Sequence, residues 1–145
     1  MVERRNQIAL YVSSASVTAA QVQRLQHIFD TFQELPEVPV MPDFIHAVDG
    51  ATWALNLDPE PIYKKHKSDY SPEYFEAPIL ILDERSAKDD TVVVVHPEYV
   101  DQDTYKHIQL RSVPEKVSLL VANLEIANTD LFEMSEDLDA DGVYR

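Results

Sequence analysis

The chain has 145 residues, with 26 acids against 12 bases, two glycines and no cysteine. A formal net charge of −14 disfavours nucleic acid and anionic membranes, which are held mainly by Lys and Arg. Without cysteine there is no thiol chemistry, disulfide or thiolate zinc site, and two isolated glycines, Gly50 and Gly142, cannot form a phosphate-binding glycine loop.

Ile8 to Val12 is a short apolar run that reads as a buried strand. Thr18 and Gln21 stand at capping-box spacing, and Val22, Leu25, Ile28, Phe29 and Phe32 recur at helical intervals, so a helix follows and stops before Pro36. His27 falls on its polar side. Val38 to Val48 reads as an extended segment broken by Pro39 and Pro42, and Asp49-Gly50 as a turn. Residues 58–78 carry Pro59, Pro61, Pro72 and Pro78 among four aromatics, and are expected to form an irregular, lid-like loop.

Ile79 to Leu82 and Thr91 to Val95 are expected to pair as an antiparallel hairpin across the polar stretch 83–90. Val92 to Val95 lacks a polar face, which suits a central strand covered on both sides. His107 to Arg111 alternates, with Ile108 and Leu110 on one side and His107, Gln109 and Arg111 on the other. Ser112-Val113-Pro114-Glu115 opens a helix whose apolar stripe is Val117, Leu120, Val121 and Leu124. A last short helix is expected from Asp130. The sum is a single α+β domain, 1–145, with a mixed or mainly antiparallel sheet and helices packed mostly on one face.

Three separated C-terminal motifs then agree in order: Arg111-Ser112-Val113-Pro114, Asn123-Leu124-Glu125-Ile126-Ala127-Asn128-Thr129-Asp130, and Asp139-Ala140-Asp141-Gly142-Val143-Tyr144-Arg145. Together they resemble the ends of a family of small, acidic, functionally uncharacterised actinomycete domains. The resemblance implies a shared fold and supplies no activity.

Candidate chemistry gathers at four places. His107 and Arg111 share a strand face at a backbone separation of about 13 Å, so a leaning arginine could hold a small substrate beside the imidazole. Asn128 and Asp130 could orient them or merely cap a helix. His46 and Asp49 form a second proton-transfer pair. Lys64, Lys65 and Tyr63, in the only dense basic stretch, suit an anionic group or a developing enolate. The run Asp137-Leu138-Asp139-Ala140-Asp141-Gly142 copies half of a calcium loop. Its bidentate acid has no counterpart, so a turn docking Val143 and Tyr144 is expected instead and no metal is assigned.

By elimination, an enzyme of this kind would perform cofactor-independent acid–base chemistry, as a cyclase, isomerase or dehydratase-type lyase on a carbonyl-rich, polyketide-like metabolite in the cytoplasm. The competing class is a non-catalytic acidic module of immunity or inhibitor type covering a basic protein. Residues 130–141 favour it, with six acids and no base. The expected partners are thus a small substrate, a second copy of the chain or a basic protein, with no nucleic acid and no membrane. Pocket geometry discriminates the two classes: His107 and Arg111 facing an enclosed hollow support catalysis, and an open face supports binding.

Overall fold

Alternation along three apolar runs builds the centre of the molecule. In the computed structural model, which describes residues 7–33, 44–70, 73–125 and 138–144, strand β1 (Ile8–Val12) sends Ile8 and Leu10 to one face and Ala9 and Tyr11 to the other. Strands β3 (Ile79–Leu82) and β4 (Val92–Val95) divide in the same way, with Leu80, Leu82, Val92 and Val94 on the first face and Ile79, Ile81, Val93 and Val95 on the second. All eight residues of β3 and β4 are buried, as the unbroken aliphatic runs require.

Helix α1 (Ala19–Thr31) and strand β2 (Ile45–Ala47) follow β1, then a 3-10 turn at Thr52–Ala54 and helix α2 (Pro59–Asp69). A short helix α3 (Glu84–Asp89) joins β3 to β4. After β4 come a two-stranded ribbon, β5 (Glu98–Tyr99) and β6 (Tyr105–Lys106), then β7 (Gln109–Ser112), helix α4 (Pro114–Glu125) and β8 (Val143–Tyr144). The main sheet has six strands in the order β2-β1-β3-β4-β7-β8. β1 pairs parallel with β2 and β3, β4 pairs antiparallel with β3 and β7, and β8 pairs parallel with β7. The architecture is α+β with a mixed sheet.

The two amphipathic helices α1 and α4 pack together on one face, where Leu25, Phe29, Val117, Leu120, Val121 and Leu124 are all buried. Thr18 caps α1 by accepting a hydrogen bond from the Gln21 amide at 3.1 Å. Thr18→Ala is expected to cost about 1 kcal/mol, read as a lower urea midpoint with an unchanged slope.

The stretch expected to be a lid is mostly helix. Pro59 and Pro61 lie in the first turn of α2, where the missing amide hydrogens would have no intrahelical acceptor, so they start the helix rather than break it. α2 lays Ile62, Tyr63 and His66 on the second sheet face, beside Tyr11 and Tyr74. Trp53, from the 3-10 turn, joins this aromatic layer with its ring 5.3 Å from Tyr11 and 5.8 Å from Tyr70. The stretch 83–90 likewise contains α3. Asp83 caps it through the Ser86 amide and hydroxyl, and Asp90 ends it in the left-handed region at φ 64°.

The C-terminal turn takes the docking role expected of it. Asp139 Oδ1 accepts from the amides of Asp141 and Val143, Gly142 supplies φ +76°, and Val143 is fully buried beside β7. The helix expected from Asp130 lies outside the described residues. Among those residues, no helix is long and apolar enough to cross a membrane.

Candidate functional site

Sheet order decides what Arg111 can touch. Arg111 stands opposite Val93 on β4, and β4 neighbours β3, so its side chain reaches across to the sheet end where Asp83 leaves β3 and Thr91 enters β4. There Nη1 donates to Asp83 Oδ1 at 3.0 Å and to Thr91 Oγ1 at 2.9 Å, and Nη2 bonds Asp83 Oδ2. Burial works against the Asp83 charge. Hydrogen bonds from Arg111 and Ser86, with the guanidinium charge, outweigh it and hold the carboxyl below its ordinary value.

His107 does not share this arrangement. Its Nε2 donates to Gln109 Oε1 at 2.7 Å, while Nδ1 is buried without a hydrogen-bond partner. The expected pairing of His107 and Arg111 over a common hollow is therefore replaced by two separate contacts. A full carboxylate placed by the sheet order captures the guanidinium, whereas His107 lies outside the strand expected to carry it, two positions before β7 begins at Gln109.

Lys64 and Lys65 stand on the solvent side of α2, not on a loop. Each is paired one helical turn away, Lys64 with Glu60 at 3.8 Å and Lys65 with Asp69 at 2.8 Å. Tyr63 is fully buried, with its hydroxyl 3.4 Å from Glu76 and 3.3 Å from the Tyr99 hydroxyl. Burial and these neighbours push the Tyr63 phenol far above its ordinary value. Helical geometry thus parts the tyrosine from the lysines that sequence adjacency had joined.

His46 and Asp49 do line a common concavity, an open groove of about 460 Å³ between β2 and α1, together with His27 and Asp30. His27 is exposed as expected, yet it faces this groove. His46 Nδ1 lies 3.0 Å from the Tyr74 hydroxyl. A second open groove of similar volume runs past Ser16, Thr18, Gln21 and Arg24. Among the described residues, no three His, Asp or Glu side chains gather as a metal-binding group. Asn128 and Asp130 lie outside the described residues.

Two arrangements went unforeseen. The parallel trio β2-β1-β3, with α1 and α2 on opposite faces, creates a switch point at the carboxyl ends of β1 and β3, where open α/β sheets commonly hold ligands. Here Glu84 fills that place, accepting hydrogen bonds from Ser14 Oγ and, at 3.2 Å, Ser16 Oγ.

On the aromatic face, Tyr11 and His66 form a buried relay. His66 Nε2 lies 2.8 Å from the Phe75 carbonyl, which can only accept, so Nε2 carries the proton. Nδ1 is then the acceptor for the Tyr11 hydroxyl at 2.6 Å. His66 is fully buried, and burial holds its pKa below the ordinary histidine value. The available signal was the helical spacing of Ile62, His66 and Tyr70 behind the cap-like Asp58-Pro59.

A family model described as "Domain of unknown function (DUF6924)" matches residues 15–145. No curated protein and no solved structure matches the chain.

Proposed function

The chain belongs to that domain family of unknown function, and we propose that it acts as a non-catalytic acidic module that covers a basic protein partner in the cytoplasm. The observation carrying this reading is the capture of Arg111 by Asp83 and Thr91, which commits the central cation of the catalytic alternative to holding strands together. The remaining geometry agrees. Lys64 and Lys65 are spent on neighbouring acids, Glu84 occupies the switch point, and the grooves are open. Each internal ion pair consumes one acid and one base, so the formal surplus of 14 negative charges stays on the molecule. A surplus of that size steers basic partners and raises their association rate by one to three orders of magnitude.

Proton transfer in the groove of His46, Asp49, His27 and Asp30 is a second reading, favoured by four titratable groups from α1, β2 and the turn after β2 lining one groove. The first and third C-terminal motifs are proposed as part of the family's signature, since Arg111 stands opposite Val143 where β7 pairs with β8, and Pro114 opens α4 directly after β7.

The test is affinity capture on the immobilised protein at low ionic strength, identification of the retained protein, and titration of the purified pair. A basic partner whose affinity falls at least tenfold between about 50 and 300 mM salt is expected. Binding indifferent to salt, or no specific partner, would overturn the reading.

A further inference from the structure

We propose that Tyr11 is a redox site, oxidised through Trp53 by a small one-electron oxidant in solution, with His66 as the acceptor of its phenolic proton. The site is independent of the partner surface, so either reading can fail alone. A phenol gives up an electron readily where a base takes its proton in the same step, and His66 is placed for that role. Its Nε2 donates to the Phe75 carbonyl at 2.8 Å, which leaves the Nδ1 lone pair for the Tyr11 hydroxyl at 2.6 Å. Tyr11 is 1% exposed and His66 fully buried, so a dissolved oxidant does not reach the pair directly.

The way in is the indole. Trp53 is half-buried, and its ring lies 5.3 Å from that of Tyr11. Electron transfer weakens steeply with distance, and rings in near contact exchange electrons readily. Two other phenols have a base beside them, Tyr74 with His46 Nδ1 at 3.0 Å and Tyr99 with Glu76 at 2.9 Å. Both bonds are longer, and among the described residues the tyrosine rings that meet Trp53 are Tyr11 and Tyr70. The surrounding charges suit the product. Asp69 and Glu73 act on Tyr11 and Glu76 acts on His66, against Lys65, which is paired with Asp69, and Lys67 near Glu76. That local excess of acid favours an imidazolium.

The oxidant removes one electron from the Trp53 indole, and Tyr11 refills it. As that electron leaves, the Tyr11 O–H bond breaks and an N–H bond forms at His66 Nδ1. The product is a neutral phenoxyl beside an imidazolium, and a one-electron reductant such as ascorbate reverses the step.

The test is flash oxidation of the full chain by a photo-oxidised ruthenium polypyridyl complex, read by transient absorption and by electron paramagnetic resonance. A persistent phenoxyl signal is expected, formed more slowly in heavy water. Its yield should fall at least tenfold in Tyr11→Phe. Its formation rate should fall at least tenfold in Trp53→Phe and in His66→Gln, where glutamine can accept the hydrogen bond but not the proton. Circular dichroism checks that each variant is folded. Should His66→Gln not fold, the heavy-water effect in the unaltered chain decides the proton's part. An undiminished signal in folded Tyr11→Phe would place the radical on another tyrosine and overturn the proposal. So would an indole radical that decays without yielding phenoxyl, a rate unchanged in Trp53→Phe, or formation indifferent to heavy water.

Discussion

Arg111→Ala is expected to lower folding stability by about 2–3 kcal/mol, through loss of structure rather than loss of a reaction. Removing one partner of a fully buried pair costs about 3–5 kcal/mol, because the other charge is stranded. The Arg111 and Asp83 side chains are 17% and 28% exposed, which places this pair at or just below the lower end of that range. Asp83 retains its bonds from Ser86, so the helix cap survives in part. Arg111→Lys should recover only a fraction, since one ammonium cannot span both carboxylate oxygens and Thr91 Oγ1 in the planar geometry of a guanidinium. The measurement is a denaturant midpoint for each single variant and for Arg111→Met with Asp83→Asn, as a double-mutant cycle. Additive losses would show that the two groups do not act together. The pH dependence has a definite sign. Asp83 is held below its ordinary value, so its contribution is present above about pH 4 and is lost as pH falls through the folded value.

His66→Ala should cost more, about 3–4 kcal/mol. The substitution removes an aromatic-sized volume from a fully buried site and strands both the Tyr11 hydroxyl and the Phe75 carbonyl. Tyr11→Phe, which leaves only Nδ1 unpaired, should cost about 1–2 kcal/mol.

Burial lowers the His66 pKa, and the Phe75 hydrogen bond and the Glu76 charge only partly restore it. Below about pH 6.5 the unfolded chain therefore takes up a proton that the folded chain refuses. Stability must rise with pH across that window, by up to about 1.4 kcal/mol per unit. The wild-type midpoint should fall between pH 7 and pH 5, and His66→Gln should flatten the fall. Equal slopes in the two proteins would show that the imidazole is not the group responsible.

Local periodicity carried the parts of this fold that answer to a single element. β1, β3, β4 and the apolar stripes of α1 and α4 follow from spacing, and the cap at Thr18 from three residues of context. α2 stands where an irregular loop is expected from the prolines of 58–78, because Pro59 and Pro61 fall in the first turn, where a helix tolerates them. The site residues were harder for a different reason. Arg111 meets a carboxylate 28 positions away and His66 a hydroxyl 55 positions away, and both meetings depend on strand order. No spacing rule within one element contains strand order. His46 and Asp49 pair in the sequence because only two residues lie between them, and the groove adds His27 and Asp30 only after β2 aligns beside α1.

The single tryptophan, Trp53, donates its indole N–H to the Tyr70 hydroxyl at 3.1 Å and stacks on that ring, with the Lys65 ammonium 5.3 Å from its own ring. Intrinsic emission is consequently a one-sided reporter. It watches the α2 layer and is blind to the aliphatic layer beneath α1 and α4. If the two layers melt together, the optical signal and far-ultraviolet dichroism will trace one curve. A gap between the curves would show that the sheet's two coats come off separately.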